Sequence, residues 1–154
     1  MAMNQEHPAN EKLNTDAQLS EKLHDHGLRS TRHRKALLRL LIKRAEALEQ
    51  SQISELLEEE MDRATLYRSL RQLEESGLLH KVAPEKGSPR YAYCGHACTI
   101  DQHRHDHVHF TCNQCRRTFC MEHTGIPEVN MPTGYQVVDW QFHLSGICPD
   151  CRDV

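Results

Sequence analysis

The chain has 154 residues, with 19 Lys and Arg against 22 Asp and Glu for a formal net charge of −3. That is enough for two small domains but not for a large enzyme barrel, and the charge argues against indiscriminate polyanion binding. Apolar residues make up 38% and aromatics 5%, with mean hydropathy −0.72, so a core this thin needs a second source of stability. Seven Cys and twelve His point to metal, because an odd thiol count pairs poorly into disulfides. No apolar run is long enough to span a bilayer, and the segment after Met1 has neither a basic nor an apolar leader region. The expectation is a cytoplasmic protein with reduced thiols and no membrane partner.

Residues 1–14 are polar and are expected to form a flexible N-terminus. A helix is predicted from about Thr15 to His26, with Leu19 and Leu23 four apart and Gly27 as its stop. From Arg29 to Arg44 the chain carries seven basic residues and no acidic one. Ser30 or Thr31 can cap a helix there whose Leu37, Leu38, Leu41 and Ile42 form one apolar face. Ser51 opens a short helix carrying Ile53, Leu56 and Leu57. The clearest helix begins after Asp62, runs through the stripe Leu66, Leu70 and Leu73, and closes at Gly77. At roughly 100° per residue, Arg68 points away from that stripe, Arg71 lies off it and Tyr67 sits at its edge. Leu78–Val82 then reads as a strand, Pro84–Pro89 as a turn and Arg90–Tyr93 as the return strand. Helices followed by a hairpin outline a winged-helix DNA-binding domain over residues 15–93, a helix-turn-helix variant.

After Tyr93 the composition shifts to Cys, His and alternating apolar residues, which places a second domain at residues 94–154. Val108–Cys112 suits a strand, and Val138, Trp140, Phe142 and Leu144 alternate along another that leads into Cys148. The fold class expected is α+β, a winged helix followed by a small α/β domain with a four-cysteine zinc site. Cys112–Cys115 and Cys148–Cys151 are C-x-x-C knuckles. Four thiolates at this spacing can close a tetrahedral structural Zn²⁺ site, one per chain, with no open position for chemistry. Sheet pairing must bring the knuckles together across the intervening 32 residues. The alternative for Cys148-Pro-Asp-Cys151 is a redox pair. A second constellation comprises His80, Cys94, Cys98, His103, His105, His107, His109 and Cys120. Alternation puts the last four of its histidines on one side of an extended strand, where His107 and His109 favour ligation and His103 and His105 suit a solvated face equally well.

The chain resembles the ferric uptake regulator superfamily in four segments. These are Arg63–Leu70 (RATLYRSL), similar to the family's recognition-helix signature, Gly77–Val82 (GLLHKV), His107–Cys115 (HVHFTCNQC) and Gly146–Cys151 (GICPDC). The resemblance covers about residues 15 to 151, with these segments in the expected order. The resemblance implies a metal-loaded homodimer that represses transcription on double-stranded operator DNA, with the C-terminal domain serving dimerisation. It places Tyr67 and Arg68 at the DNA, flanked by Arg63 and Arg71, with Arg32 and Arg34 of the basic run at the backbone. It also implies a regulatory metal site built from His80, Cys94, His107 and His109, with Cys120 as a further candidate where some members draw a carboxylate.

Thiolate plus imidazole is a soft donor set, which favours Zn²⁺ over Fe²⁺ as the second, regulatory ion. The leading expectation is therefore a zinc sensor, and the alternative within the family is an iron or peroxide sensor. Gly125, Pro127, Pro132 and Gly134 interrupt the stretch where the family has a dimerisation helix, so any helix there must be very short. Glu58, Glu59, Glu60 and Asp62 crowd the start of the recognition helix and predict weak or strongly salt-dependent operator binding. An enzyme is not expected, since no H-E-x-x-H helix is present. A metal buffer or zinc-ribbon interaction module is the alternative from another class, but it leaves the Tyr67/Arg68 surface unexplained.

Overall fold

The computed structural model describes residues 15–82, 87–93, 107–121, 124–138 and 140–152. They fall into two units, one within residues 1–103 and the other within 104–154. The expected domain boundary at Cys94 lies outside the described residues.

In the first unit α1 (Asp16–Asp25) starts at a Thr15/Gln18 capping box, and α2 (Arg32–Arg44) starts where the Thr31 hydroxyl accepts the Arg34 N–H. A two-residue strand, β1 (Leu48–Glu49), precedes α3 (Gln50–Leu56). The recognition-helix candidate is α4 (Arg63–Glu75), capped by the Asp62 carboxylate, which accepts the Thr65 N–H at 2.8 Å. The chain leaves α4 through Gly77 at φ +79, a left-handed turn that costs glycine nothing. Strands β2 (Leu79–Val82) and β3 (Arg90–Tyr93) follow and pair antiparallel, with β1 added outside β3 in the order β1-β3-β2. Leu19, Leu23, Leu37, Leu41, Ile53, Leu66, Leu70 and Leu73 are each essentially inaccessible and join in one core with Tyr91 and Tyr93. This is the expected winged helix. Leu56 departs from the reading of α3: it is 45% exposed, while Ile53 and the C-cap Leu57 are buried in the core.

The second unit is a three-stranded sheet in the order β5-β4-β6, formed by β4 (Val108–Cys112), β5 (Thr118–Met121) and β6 (Phe142–Gly146). β4 pairs antiparallel with β5 and parallel with β6. A single turn of helix, α5 (Pro149–Arg152), follows. Among the described residues, the strand expected from Val138 begins at Phe142, which pairs with Val108 of β4. Val138 and Trp140 are accordingly outside the ladder and exposed. Among the described residues between Thr124 and Val138 none is helical. This unit buries few apolar side chains: Val108, Cys112 and Cys148 are its described members, and the apolar core cluster belongs wholly to the first unit.

Candidate metal centres and nucleic-acid interface

Parallel pairing brings the two knuckles together. The register sets Cys112 against Gly146, so Cys148 arrives two residues later beside the turn that carries Cys115. All four Sγ atoms lie within 4.8 Å of one another, and Cys115 Sγ is 3.8 Å from Cys148 Sγ. A tetrahedral site with Zn–S near 2.3 Å spaces its sulfurs about 3.8 Å apart, so the donor set fits zinc. Burial pushes the Cys112 thiol up, but the N–H groups of Cys115, Cys148 and Gln114 outweigh it and hold Cys112 down to about 6. Burial, followed by the neighbouring thiols, pushes Cys151 up to about 12. Burial also raises Cys148. Crowded thiols resist becoming four anions unless a cation joins them. Outside the cage, Arg117 pairs with Asp150 at 2.9 Å and ties the first knuckle's turn to α5. Cys148 does stand at a helix start, as the redox alternative would have it, but convergence of all four sulfurs favours a metal cage.

The second constellation is distributed by strand register. His109 lies directly across from Cys120 on β5, and His107 precedes it on the same face. The donor atoms of His107, His109 and Cys120 lie within 4.8 Å of one another, and the two imidazole rings meet edge to face at 4.7 Å. His109 is buried and the other two half-buried. Two imidazoles and a thiol so disposed can hold a divalent ion. His80 is buried on β2 of the winged-helix unit, opposite Ala92. Cys94, Cys98, His103 and His105 lie outside the described residues.

Alternation separates the two donor sets. His107 and His109 project from one face of the sheet and Cys112 from the other. The first face is polar throughout, with Thr111, Thr118, Cys120, His143 and Ser145 beside the histidines. The second carries Val108, Phe110, Phe119, Met121, Phe142 and Leu144. Sequence reading missed Thr111, Thr118 and His143, because nothing in the local pattern of TFCM announces β5 or its register.

On the winged helix, Tyr67 is 55% exposed, and Arg63, Arg68 and Arg71 are exposed beside it along α4. Arg71 pairs with Glu75 at 2.8 Å. The basic run is partly committed to the fold. Asp16 holds Lys35 and Arg39, and Arg34 donates to the Arg29 carbonyl and to Gln72 Oε1, each at 2.6 Å. Arg32 donates only to its neighbour His33 among the hydrogen bonds described for it.

A family profile described as "Ferric uptake regulator family" matches residues 25–147. The ferric uptake regulation protein of Neisseria gonorrhoeae is 31% identical over 150 residues, covering 92% of this chain and 96% of that protein. The chain belongs to the ferric uptake regulator family. The zinc uptake regulation protein of Mycobacterium tuberculosis is 28% identical over 137 residues, covering 82% of this chain and 96% of its own length. A solved zinc uptake regulator complexed with zinc and DNA shares the fold at a TM-score of 0.62 and 23% identity, covering 90% of this chain and 93% of its own. Membership makes this ferric uptake regulator homologue a metal-dependent transcriptional regulator and not an enzyme. No helix among its described residues is long and apolar enough to cross a membrane.

Proposed function

We propose that this regulator senses zinc and, as a metal-loaded homodimer, represses metal-homeostasis genes from double-stranded operator DNA. The observation that carries the reading is the donor set itself: His107, His109 and Cys120 converge within 4.8 Å, two imidazoles and a thiol that make a soft shell. His80 and Cys94 complete the regulatory site, and Cys112, Cys115, Cys148 and Cys151 hold one structural zinc. Bound at the regulatory site, zinc supplies a common anchor for ligands drawn from both units. His80 contributes the winged-helix unit's share, so ligation restricts how the reading heads are held. A switch from mostly open to mostly restricted requires about 5.5 kcal/mol of differential affinity, within the capacity of one zinc site.

The DNA face consists of Tyr67 and Arg68 on α4, with Arg63 and Arg71 around them and Arg32 at the start of α2. Tyr67 is suited to a thymine methyl and Arg68 to a base edge or phosphate. Arg34 reaches the backbone only by giving up its bonds to Gln72 and the Arg29 carbonyl. The apolar sheet face, with Leu144 53% exposed and Trp140 and Val138 beyond it, supports self-association through the second unit.

Competition binding tests the reading. The purified dimer, mildly chelated and then titrated with Zn²⁺ or Fe²⁺ while operator binding is followed, should regain affinity with zinc. Recovery with Fe²⁺ and not Zn²⁺ would make it an iron sensor. Salt-dependent operator binding that is indifferent to chelation would remove metal control altogether.

A further inference from the structure

On the polar face of the second sheet, a chain of side-chain hydrogen bonds crosses all three strands one step from the His109/Cys120 level. Thr118 Oγ1 of β5 lies 2.9 Å from Thr111 Oγ1 of β4. Thr111 Oγ1 lies 2.8 Å from His143 Nε2 of β6. Thr111 pairs with Thr118 in the same ladder that pairs His109 with Cys120. His143 stands beside His109 in the parallel ladder.

Thr118 is fully buried. Valine would fill such a β-branched position without bringing a hydroxyl out of water, and an unbonded buried hydroxyl is costly. One threonine hydroxyl carries a proton and two lone pairs, so Thr111 can serve both neighbours at once in either tautomer of His143. The Thr111–Thr118 bond adds a side-chain tie to the lateral spacing and tilt that the backbone ladder gives β4 against β5, and the His143 bond orients the Thr111 hydroxyl that makes it. Those two quantities also set the separation of the His109 imidazole and the Cys120 thiol, which come from the same two strands about 6.8 Å further along.

We propose that Thr111 and His143 are positioning residues for the His107, His109 and Cys120 donor set, holding its two strands at the spacing a bound ion requires. This rests on the reading that those three side chains bind metal. Supporting partners that touch no metal can alter site affinity 10- to 100-fold, on the order expected here.

The test uses the full chain with its cage zinc loaded, titrated with cobalt(II) in competition with a chelator and followed by its visible ligand-field bands. Thr111→Val should weaken cobalt binding about tenfold or more and shift the bands, while zinc in the cage stays at one per chain. Thr111→Ser, which restores the hydroxyl, should return affinity and spectrum to those of the wild type. His143→Ala should weaken binding in the same direction, and it decides the matter if Thr111→Val fails to fold. Wild-type affinity and spectrum in both Thr111→Val and His143→Ala would overturn the proposal alone, as would a Thr111→Ser as impaired as Thr111→Val. A wild-type chain that takes up no second ion would overturn the proposal together with the reading beneath it.

Discussion

Tyr67 and Arg34 show how exposure and hydrogen bonding divide labour among single side chains. Tyr67 stands 55% clear of the protein, so Tyr67→Ala should leave thermal stability within about 0.5 kcal/mol. The same substitution should weaken operator binding by about tenfold, as expected for loss of a base contact. An unchanged operator affinity in a gel-shift titration would remove Tyr67 from the DNA face. Arg34 is the contrasting case, because its guanidinium already bridges the Arg29 carbonyl and Gln72 on α4. Arg34→Ala should cost about 1 kcal/mol of winged-helix stability through lost hydrogen bonds. It should also leave the slope of log affinity against log salt unaltered, whereas loss of a phosphate contact lowers that slope by about 1. Urea unfolding and a salt series on the same variant separate the two roles.

At the scale of elements, α4 is held by its cap and its stripe. The Asp62 carboxyl is kept below the usual range first by the Thr65 N–H and then by the Thr65 hydroxyl. Its folded pKa is the depressed one, so the stability it contributes is complete above the ordinary carboxylate range and is lost as pH falls through the folded value. Asp62→Asn keeps an acceptor at the cap and removes the titration. Acid melting curves of the variant should therefore flatten below about pH 4 relative to wild type. Leu70→Ala, at the buried centre of the stripe, should cost about 2–5 kcal/mol. Helices such as α2 and α4 were legible because a capping residue and a 3.6-residue apolar period act within one segment and need no partner. β5 was not legible, because four residues flanked by basic and acidic neighbours become a strand only through pairing with β4. The start of β6 was misplaced for the same reason: alternation from Val138 onward looks like a strand, but pairing with β4, described from Val108 and Phe142 onward, decides which residues join the ladder. The convergence of the four cysteines was readable from C-x-x-C spacing, and that of His107 and His109 from alternation. The position of Cys120 across from His109 required the register, and register is a property of two segments that neither contains alone.

Taken whole, the chain distributes its stability unevenly. The winged helix buries a continuous leucine core, while the described residues of the second unit bury few apolar side chains around four convergent thiols. Structural zinc in such a setting contributes on the order of 10 kcal/mol. Metal removal is therefore expected to proceed in two stages. Mild chelation should abolish operator binding with both units still folded. Stronger chelation should unfold residues 104–154 and spare the winged helix, visible in hydrogen exchange as loss of protection in β4, β5 and β6 and retention in α2 and α4. Simultaneous loss of protection in both units would mean that the winged helix depends on the second unit for its stability.

His109 leaves β4 on the side of His107, which just precedes the strand, and Cys112 leaves it on the other, with only Phe110 and Thr111 in between. Shortening or lengthening that dipeptide by one residue would turn a ligand of one ion toward the wrong side of the pleat. On the proposed assignment, exchanging side chains or altering distant loops can retune either donor set, but the count of residues along this strand is constrained by both at once.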